Sequence, residues 1–144
     1  IHTRDARERT YDILSEIVSN QYSNIPAIVM HCYSEDIVFA QRLLSILWNR
    51  VYFAFGGILT YRSRNEAIQE AAIQIPIPQI LLETDAPFLA PYLARKNGAK
   101  YNESSYIGEV LDKLAELRNE PRDILEEVIY NNSIRIFCPE HAHE

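Results

Sequence analysis

The sequence predicts an α/β fold in which short parallel strands alternate with helices. Three apolar runs, each short enough to be a buried strand, lie at residues 27–30, 51–55 and 80–82. The segments between them carry apolar residues at helical spacing, and polar residues follow directly where each run ends. Repeated strand–helix units of this kind imply a parallel sheet with right-handed crossovers.

The composition indicates one globular domain. The 144 residues are 47% hydrophobic, which is enough for a packed core, so we expect a single domain over residues 1–144. The longest apolar runs are far shorter than the roughly 20 residues that cross a bilayer, so we expect no membrane partner and a cytoplasmic location. Cys32 and Cys138 form neither a disulfide framework nor a CxxC metal motif and are expected to be free thiols. The net charge of −6 argues against broad nucleic-acid affinity but allows a local basic groove.

The first third of the chain predicts two histidines at strand ends. His2 precedes a polar turn, so we expect it to close a strand that leads into a first helix over residues 6–22. The β-rich run at 27–30 ends in His31 and is predicted to be a buried strand. Ser34 is expected to cap the second helix.

The remaining elements continue the alternation. The run at 51–55 predicts a strand, and a short helix follows around residues 65–72. Residues 88–106 are expected to form a long polar loop, which in a compact domain is more often functional than idle. Two helices close the chain, one over residues 107–117 and one that begins near Pro121.

Two carboxylates follow the third strand. Glu83 and Asp85 stand one residue apart at the end of the run that begins at Ile80, and Pro87 then stops the strand. The alternation of a strand predicts that both side chains point to the same side. The alternative reading is a strand end whose acids cap the next helix.

Together, His2, His31, Glu83 and Asp85 all stand where a predicted strand gives way to a loop. Four such units are half of a (β/α)₈ barrel, whose sites lie at the carboxyl ends of its strands. Imidazole and carboxylate groups are ligands for zinc, manganese and related divalent ions, so their convergence predicts a metal site. Taken singly, each histidine is more often a hydrogen-bonded structural group.

Four motifs of this chain resemble those of the TatD family of metal-dependent deoxyribonucleases, in the same order and at plausible spacing. They are IHTRDA at residues 1–6, HCYS at 31–34, YFAFGG at 52–57 and LETDAPFLAP at 82–91. The segment NNSIRIF at 131–137 is similar to the closing helix of that family. The resemblance covers essentially the whole chain.

The resemblance implies a TIM-barrel hydrolase that cleaves phosphodiester bonds in DNA, often as a 3′–5′ exonuclease, with two divalent metal ions (Mg, Mn or Zn). His2 and His31 match ligands of one metal, and Asp85 matches a ligand of the other. Glu83 matches a position beside the site, where it would orient a ligand. Asp85 and Glu83 are therefore the expected catalytic residues.

The resemblance is to the carboxyl-terminal half of the barrel. The family's first-strand HxH pair and a later strand-end glutamate have no counterpart in these residues, so half of the expected ligand set is absent. An HxH does occur at residues 141–143, but it follows the closing helix and is expected to be a solvated tail. A missing amino-terminal half-barrel or a second copy of the chain is the expected partner. The alternative function is a non-catalytic half-barrel that serves as a binding or assembly module.

Six of the fourteen basic residues fall in predicted loops after strands, so they should gather on the proposed catalytic rim. Such residues bind phosphate without reading bases, which suits DNA or another phosphodiester substrate. The alternative is ordinary loop polarity. The candidate substrate-binding residues are Arg4, Arg62, Arg64, Arg95, Lys96 and Lys100.

Overall fold

Three short strands form the centre of the structure. The structure, a computed structural model, describes residues 1–19, 24–63 and 65–141. The strands are β1 (Ile28–Met30), β2 (Val51–Phe55) and β3 (Ile80–Leu82). They pair in the order β1-β2-β3, and both pairs are parallel. The predicted α/β class with parallel strands is therefore confirmed.

Helices connect and cover the strands. Those of the described residues are α1 (Arg7–Ser19), α2 (Ile37–Leu47), α3 (Glu66–Gln74), α4 (Tyr92–Lys96), α5 (Ile107–Arg118) and α6 (Arg122–Phe137). Within the described ranges, no helix is both long and apolar enough to cross a membrane.

The central strand β2 is buried on both faces. All five of its residues are buried. Phe53 and Phe55 belong to the main core, which the helices supply with leucine, isoleucine and alanine side chains. Tyr52 and Ala54 pack with Leu81 in a smaller cluster on the opposite face of the sheet. Parallel strands are characteristically covered on both faces, so this burial explains the unbroken apolar run in the sequence.

Two polar side chains tie the last helices to the segment that enters β3. Arg118 of α5 donates to the carbonyl oxygens of Ala72 and Ile73 at 2.8 Å. These carbonyls belong to the last turn of α3, where no further turn of the helix is available to donate to them. The buried Asn132 of α6 donates to the carbonyl oxygens of Ile77 at 2.8 Å and Ile80 at 3.0 Å. These contacts fix where β3 begins.

The predicted cap of the second helix is wrong. α2 begins at Ile37, and Asp36 is its N-cap, with Oδ1 accepting from the Phe39 amide at 2.9 Å. Cys32 lies in the left-handed region with φ of +49°, so the chain turns between β1 and α2. Hydrogen bonding to the Phe39 amide, helped by Arg7, lowers the pKa of Asp36.

The predicted long loop at residues 88–106 contains a short helix, α4. Distant side chains satisfy the first-turn amides of α4. The Tyr92 amide donates to Thr60 Oγ1 at 2.7 Å, and the Ala94 amide donates to Glu109 Oε2 at 3.2 Å. Because both acceptors lie far away in the sequence, the local pattern could not reveal this helix.

Replacing the observed cap should destabilise the fold, and replacing the predicted one should not. We expect Asp36→Ala to lower the free energy of unfolding by about 0.5–2 kcal/mol at neutral pH. Ser34→Ala, the matched control, should stay within about 0.5 kcal/mol of the parent. Urea denaturation followed by circular dichroism measures both, and a larger loss for Ser34→Ala would contradict the structure.

The benefit of Asp36 should also depend on pH. Its folded-state pKa lies below the ordinary pKa of an aspartate, so the stabilisation is present above that ordinary value and is lost as the pH falls through the folded pKa. The difference in unfolding free energy between the parent and Asp36→Ala should therefore shrink when the urea denaturation is repeated in strong acid.

Candidate metal centre

The first two residues extend the sheet beyond β1. His2 pairs with His31 in an isolated parallel bridge. The His31 amide donates to the Ile1 carbonyl at 2.8 Å, and the amino group of Ile1 donates to the Val29 carbonyl at 2.7 Å. His2 and His31 therefore lie side by side at the carboxyl end of the sheet, as predicted.

Four predicted site residues meet around the imidazole of His31. Its Nδ1 lies 2.8 Å from Glu83 Oε2, and its Nε2 lies 3.4 Å from Asp85 Oδ1. The rings of His2 and His31 have their centroids 5.8 Å apart. The structure therefore brings His2, Glu83 and Asp85 close to His31.

Strand alternation alone does not bring Asp85 to this position. The Glu83 amide donates to the Phe55 carbonyl at 3.0 Å, so sheet pairing continues to Glu83. Asp85 then adopts a left-handed conformation with φ of +57°, and the Phe88 amide donates to the Asp85 carbonyl at 2.9 Å. A tight turn therefore aims Asp85 at the same imidazole that Glu83 contacts.

Two residues that the sequence did not single out hold this turn. Gly57 faces the Leu89 carbonyl so closely that a Cβ at position 57 would lie 1.9 Å from that oxygen. Asn102 is buried and donates to the carbonyl oxygens of Thr84 and Phe88. The sequence showed only a glycine pair after a strand and an asparagine in a polar segment, which indicate turns but not these contacts.

Burial sets the electrostatics of the cluster. It raises the pKa of Glu83, while the Cys32 amide and His31 oppose that shift. Burial, reinforced by Glu83 and Asp85, raises the pKa of the Cys32 thiol to about 11, so this thiol is protonated at neutral pH and is a poor ligand. Cys32 and Cys138 are both free, as predicted.

The cluster has the donor chemistry that a divalent cation requires. The 2.8 Å contact has hydrogen-bond length, and in the tautomer with the imidazole proton on Nδ1 it is donated to Glu83. The lone pair of Nε2 then faces the Asp85 carboxylate at 3.4 Å, and a cation would satisfy both. The second oxygen of Glu83, Oε1, is buried and without a hydrogen-bond partner. These residues therefore fit a divalent metal.

The ligand set in this chain is partial. Within the described residues, no three histidine, cysteine, aspartate or glutamate side chains form a ready-made metal site. The assignment of His2, His31 and Asp85 as ligands stays a prediction.

The predicted basic residues are only partly brought together. Arg62 lies over the Tyr92 ring at 4.4 Å, and Arg95 lies over the Tyr61 ring at 5.2 Å. The segment after β2 contributes Tyr61 and Arg62, and α4 contributes Tyr92 and Arg95. The two contacts anchor α4 beside the end of β2. Cation–π contacts of this kind leave the guanidinium edges able to donate to a phosphate.

The other basic candidates differ in setting. Arg4, Lys96 and Lys100 are exposed. Arg95 and Lys96 lie on α4 rather than in a loop, which corrects the sequence prediction. Arg64 lies outside the described residues.

A cavity of about 650 Å³ lies beside Arg62, between α3, α4 and α5. Neither His31 nor Asp85 lines it. Its carboxylates suit a phosphate poorly, so it adds nothing to the case for Arg62 as a phosphate contact. The acidic residues that line it are Glu66, Glu109, Asp112 and Glu116.

Comparisons with known proteins place these features in one family. The TatD related DNase family matches residues 1–138. An uncharacterised metal-dependent hydrolase of Escherichia coli K12 is 34% identical over 137 residues, which cover 95% of this chain and 48% of the relative. A human protein named 3′-5′ RNA nuclease is 28% identical over 137 residues, covering 95% of this chain and 17% of that protein.

Solved structures agree on the fold. The crystal structure of a TatD homologue from Escherichia coli K12 matches with a TM-score of 0.78 and 24% identity, over 95% of this chain and 48% of that one. The chain spans about half the length of the first curated relatives it matches. This share agrees with the expectation that the chain corresponds to half of a barrel.

The proton assignment on His31 can be tested directly. In the metal-free protein, the neutral imidazole of His31 should carry its proton mainly on Nδ1. Glu83→Ala removes the acceptor and should shift the population toward Nε2–H. Long-range ¹H–¹⁵N correlation spectra distinguish the tautomers, and Glu103→Ala is the control. Dominance of Nε2–H in the parent would contradict the assignment.

Proposed function

We propose, from the premise that this chain belongs to the TatD related DNase family, that it carries part of a divalent-metal site for phosphodiester hydrolysis. Relatives in Escherichia coli and Mycoplasma genitalium are named metal-dependent hydrolases. The observation that carries the proposal is the His31 imidazole held between Glu83 and Asp85 at the carboxyl end of a parallel sheet. Barrel enzymes place their catalytic residues at this end.

Each residue of the cluster has a distinct proposed role. His2, His31 and Asp85 would hold the metal, and a bound divalent cation supplies charge that polarises a phosphoryl oxygen and acidifies a water molecule. Glu83 accepts a hydrogen bond from Nδ1–H of His31. The proton therefore stays on Nδ1, and Nε2 is free to act as a ligand. Glu83 is half-buried, so its carboxylate is held in place, and its hydrogen bond to Nδ1 also fixes the orientation of the His31 ring.

DNA is the proposed substrate, cleaved as by an exonuclease. The support is the family and the basic residues that follow β3, among which Arg95, Lys96 and Lys100 are exposed. Lysine and arginine contacts to phosphate give binding without base readout. The human relative is named an RNA nuclease, so RNA is the competing substrate that an assay must include.

We propose a further polypeptide segment as the partner of β3. The Glu83 amide pairs with β2, so strand alternation turns the amide and carbonyl of Leu82 toward the outer edge of β3. An unpaired edge recruits another strand. The partner is a missing amino-terminal half-barrel, or else a second copy of the chain.

A second candidate function is a non-catalytic binding or assembly module. The partial ligand set in the described residues favours it. The two candidates differ in one measurable respect, because only the enzyme loses hydrolysis when a metal ligand is removed.

Replacing Asp85 should abolish hydrolysis in the complete protein without unfolding it. We expect Asp85→Asn to reduce Mn²⁺-dependent cleavage of labelled DNA and of bis(p-nitrophenyl) phosphate by at least about 100-fold, because a metal ligand is lost while the core stays packed. Asp123→Asn, an exposed control on α6, should retain full activity. Undiminished cleavage by Asp85→Asn would refute the role of Asp85 as a metal ligand. If the parent cleaves a matched RNA faster than the DNA, RNA replaces DNA as the proposed substrate.

Replacing the two exposed lysines should weaken binding instead. In the double variant Lys96→Ala/Lys100→Ala we expect lower affinity for single-stranded DNA and a salt dependence with a slope reduced by about 1 to 2. Fluorescence anisotropy at several salt concentrations measures both, with Lys113→Ala as the control. A slope equal to that of the parent would exclude these lysines as phosphate contacts.

A further inference from the structure

The turn that carries Asp85 contains two non-glycine residues in the left-handed region. Asp85 has φ of +57° and Leu89 has φ of +54°. Side chains other than glycine rarely adopt this conformation, and they persist in it only where surrounding contacts impose it. The hydrogen bond from the Phe88 amide to the Asp85 carbonyl lies within the turn and cannot by itself fix the turn against the sheet.

Asn102 supplies the external contacts. Its Nδ2 donates to the carbonyl of Thr84, immediately before Asp85, and to that of Phe88 at 2.8 Å. Its own amide donates to the carbonyl of Pro87 at 2.9 Å. Both hydrogens of one buried amide group therefore span the turn from end to end.

The orientation of the Asn102 side chain is unambiguous. Carbonyl oxygens only accept, so the group facing Thr84 and Phe88 must be the NH₂ group. The side-chain oxygen accepts from the Glu103 amide at 2.9 Å, which accounts for the other half of the group. Asn102 is only 3% exposed, so water does not replace these donors.

We propose that Asn102 is a positioning residue for Asp85. By clamping the carbonyls on both sides of the turn, it sets the direction of the Asp85 carboxylate toward Nε2 of His31. Its consequence for hydrolysis depends on the function proposed above, but the placement of Asp85 can be tested without hydrolysis. Aspartate at this position keeps the oxygen that accepts from the Glu103 amide, loses both donated hydrogens and places a carboxylate oxygen against the carbonyls of Thr84 and Phe88, so Asn102→Asp breaks the clamp.

The test compares Asn102→Asp with Asn97→Asp, which makes the same change at an exposed position of the same segment. In the complete protein, Asn102→Asp should weaken Mn²⁺ binding by about 10- to 100-fold and lower kcat with little change in KM, as expected when a residue that supports a ligand is lost. In the metal-free protein, the ¹H–¹⁵N signals of the His31 ring should move. Asn97→Asp should leave all three measurements unchanged.

Three outcomes would overturn the proposal. Parental Mn²⁺ affinity with unchanged His31 signals in Asn102→Asp would show that Asp85 does not depend on Asn102. Asn102→Ser, which keeps one donor, is the second variant if Asn102→Asp does not fold. A loss of stability in Asn102→Ser with parental Mn²⁺ affinity, or unfolding of both variants, would identify a purely structural role.

The same data separate this proposal from the proposed function. If the parent neither binds Mn²⁺ nor cleaves a phosphodiester, the proposed function fails. The His31 signals of the metal-free variants still report whether Asn102 places Asp85.

Discussion

Parallel pairing in a fixed register is the constraint on which the rest of this structure depends. Val29 lies opposite Tyr52, and Ala54 lies opposite Leu81, so the carboxyl ends of the strands meet at one edge. A slip by one residue would turn every side chain of a strand to the other face. The burial of β2 on both faces makes such a slip costly, since it would exchange Phe53 and Phe55 with Tyr52 and Ala54, which differ from them in size or polarity. The distances around His31 are a consequence of that packing.

The parts of the fold that the sequence could predict are those encoded locally. Three apolar runs gave the strands, and the residues that follow them gave the positions of His31 and Glu83. The predictions failed where a distant partner decides the outcome. α4 uses Thr60 and Glu109 as acceptors for its first-turn amides. The start of α2 is an exception, because its observed cap, Asp36, lies only two residues after Ser34. The direction of Asp85 depends on a turn that Asn102 holds from outside. Strand alternation predicted that Asp85 lies on the same side as Glu83, but a turn rather than a continuing strand places it there.

The charges around His31 conflict in the absence of a cation. Carboxylate oxygens lie at both nitrogens of the His31 imidazole. Glu83 adds a buried oxygen with no hydrogen-bond partner, and its raised pKa shows that ionisation is disfavoured there. The fold therefore places several electron-pair donors close together at the carboxyl end of the sheet.

The close approach of Gly57 to Leu89 has a consequence for how this protein can change in length. Together with the hydrogen bond from Tyr92 to Thr60, it fixes the segment after the Asp85 turn at two successive points, so an inserted residue there could not be absorbed. Gly98, by contrast, has a left-handed backbone and open space around it. Natural insertions and engineered extensions should therefore be tolerated best around Gly98, where new residues can be added without moving the carboxylate that faces His31.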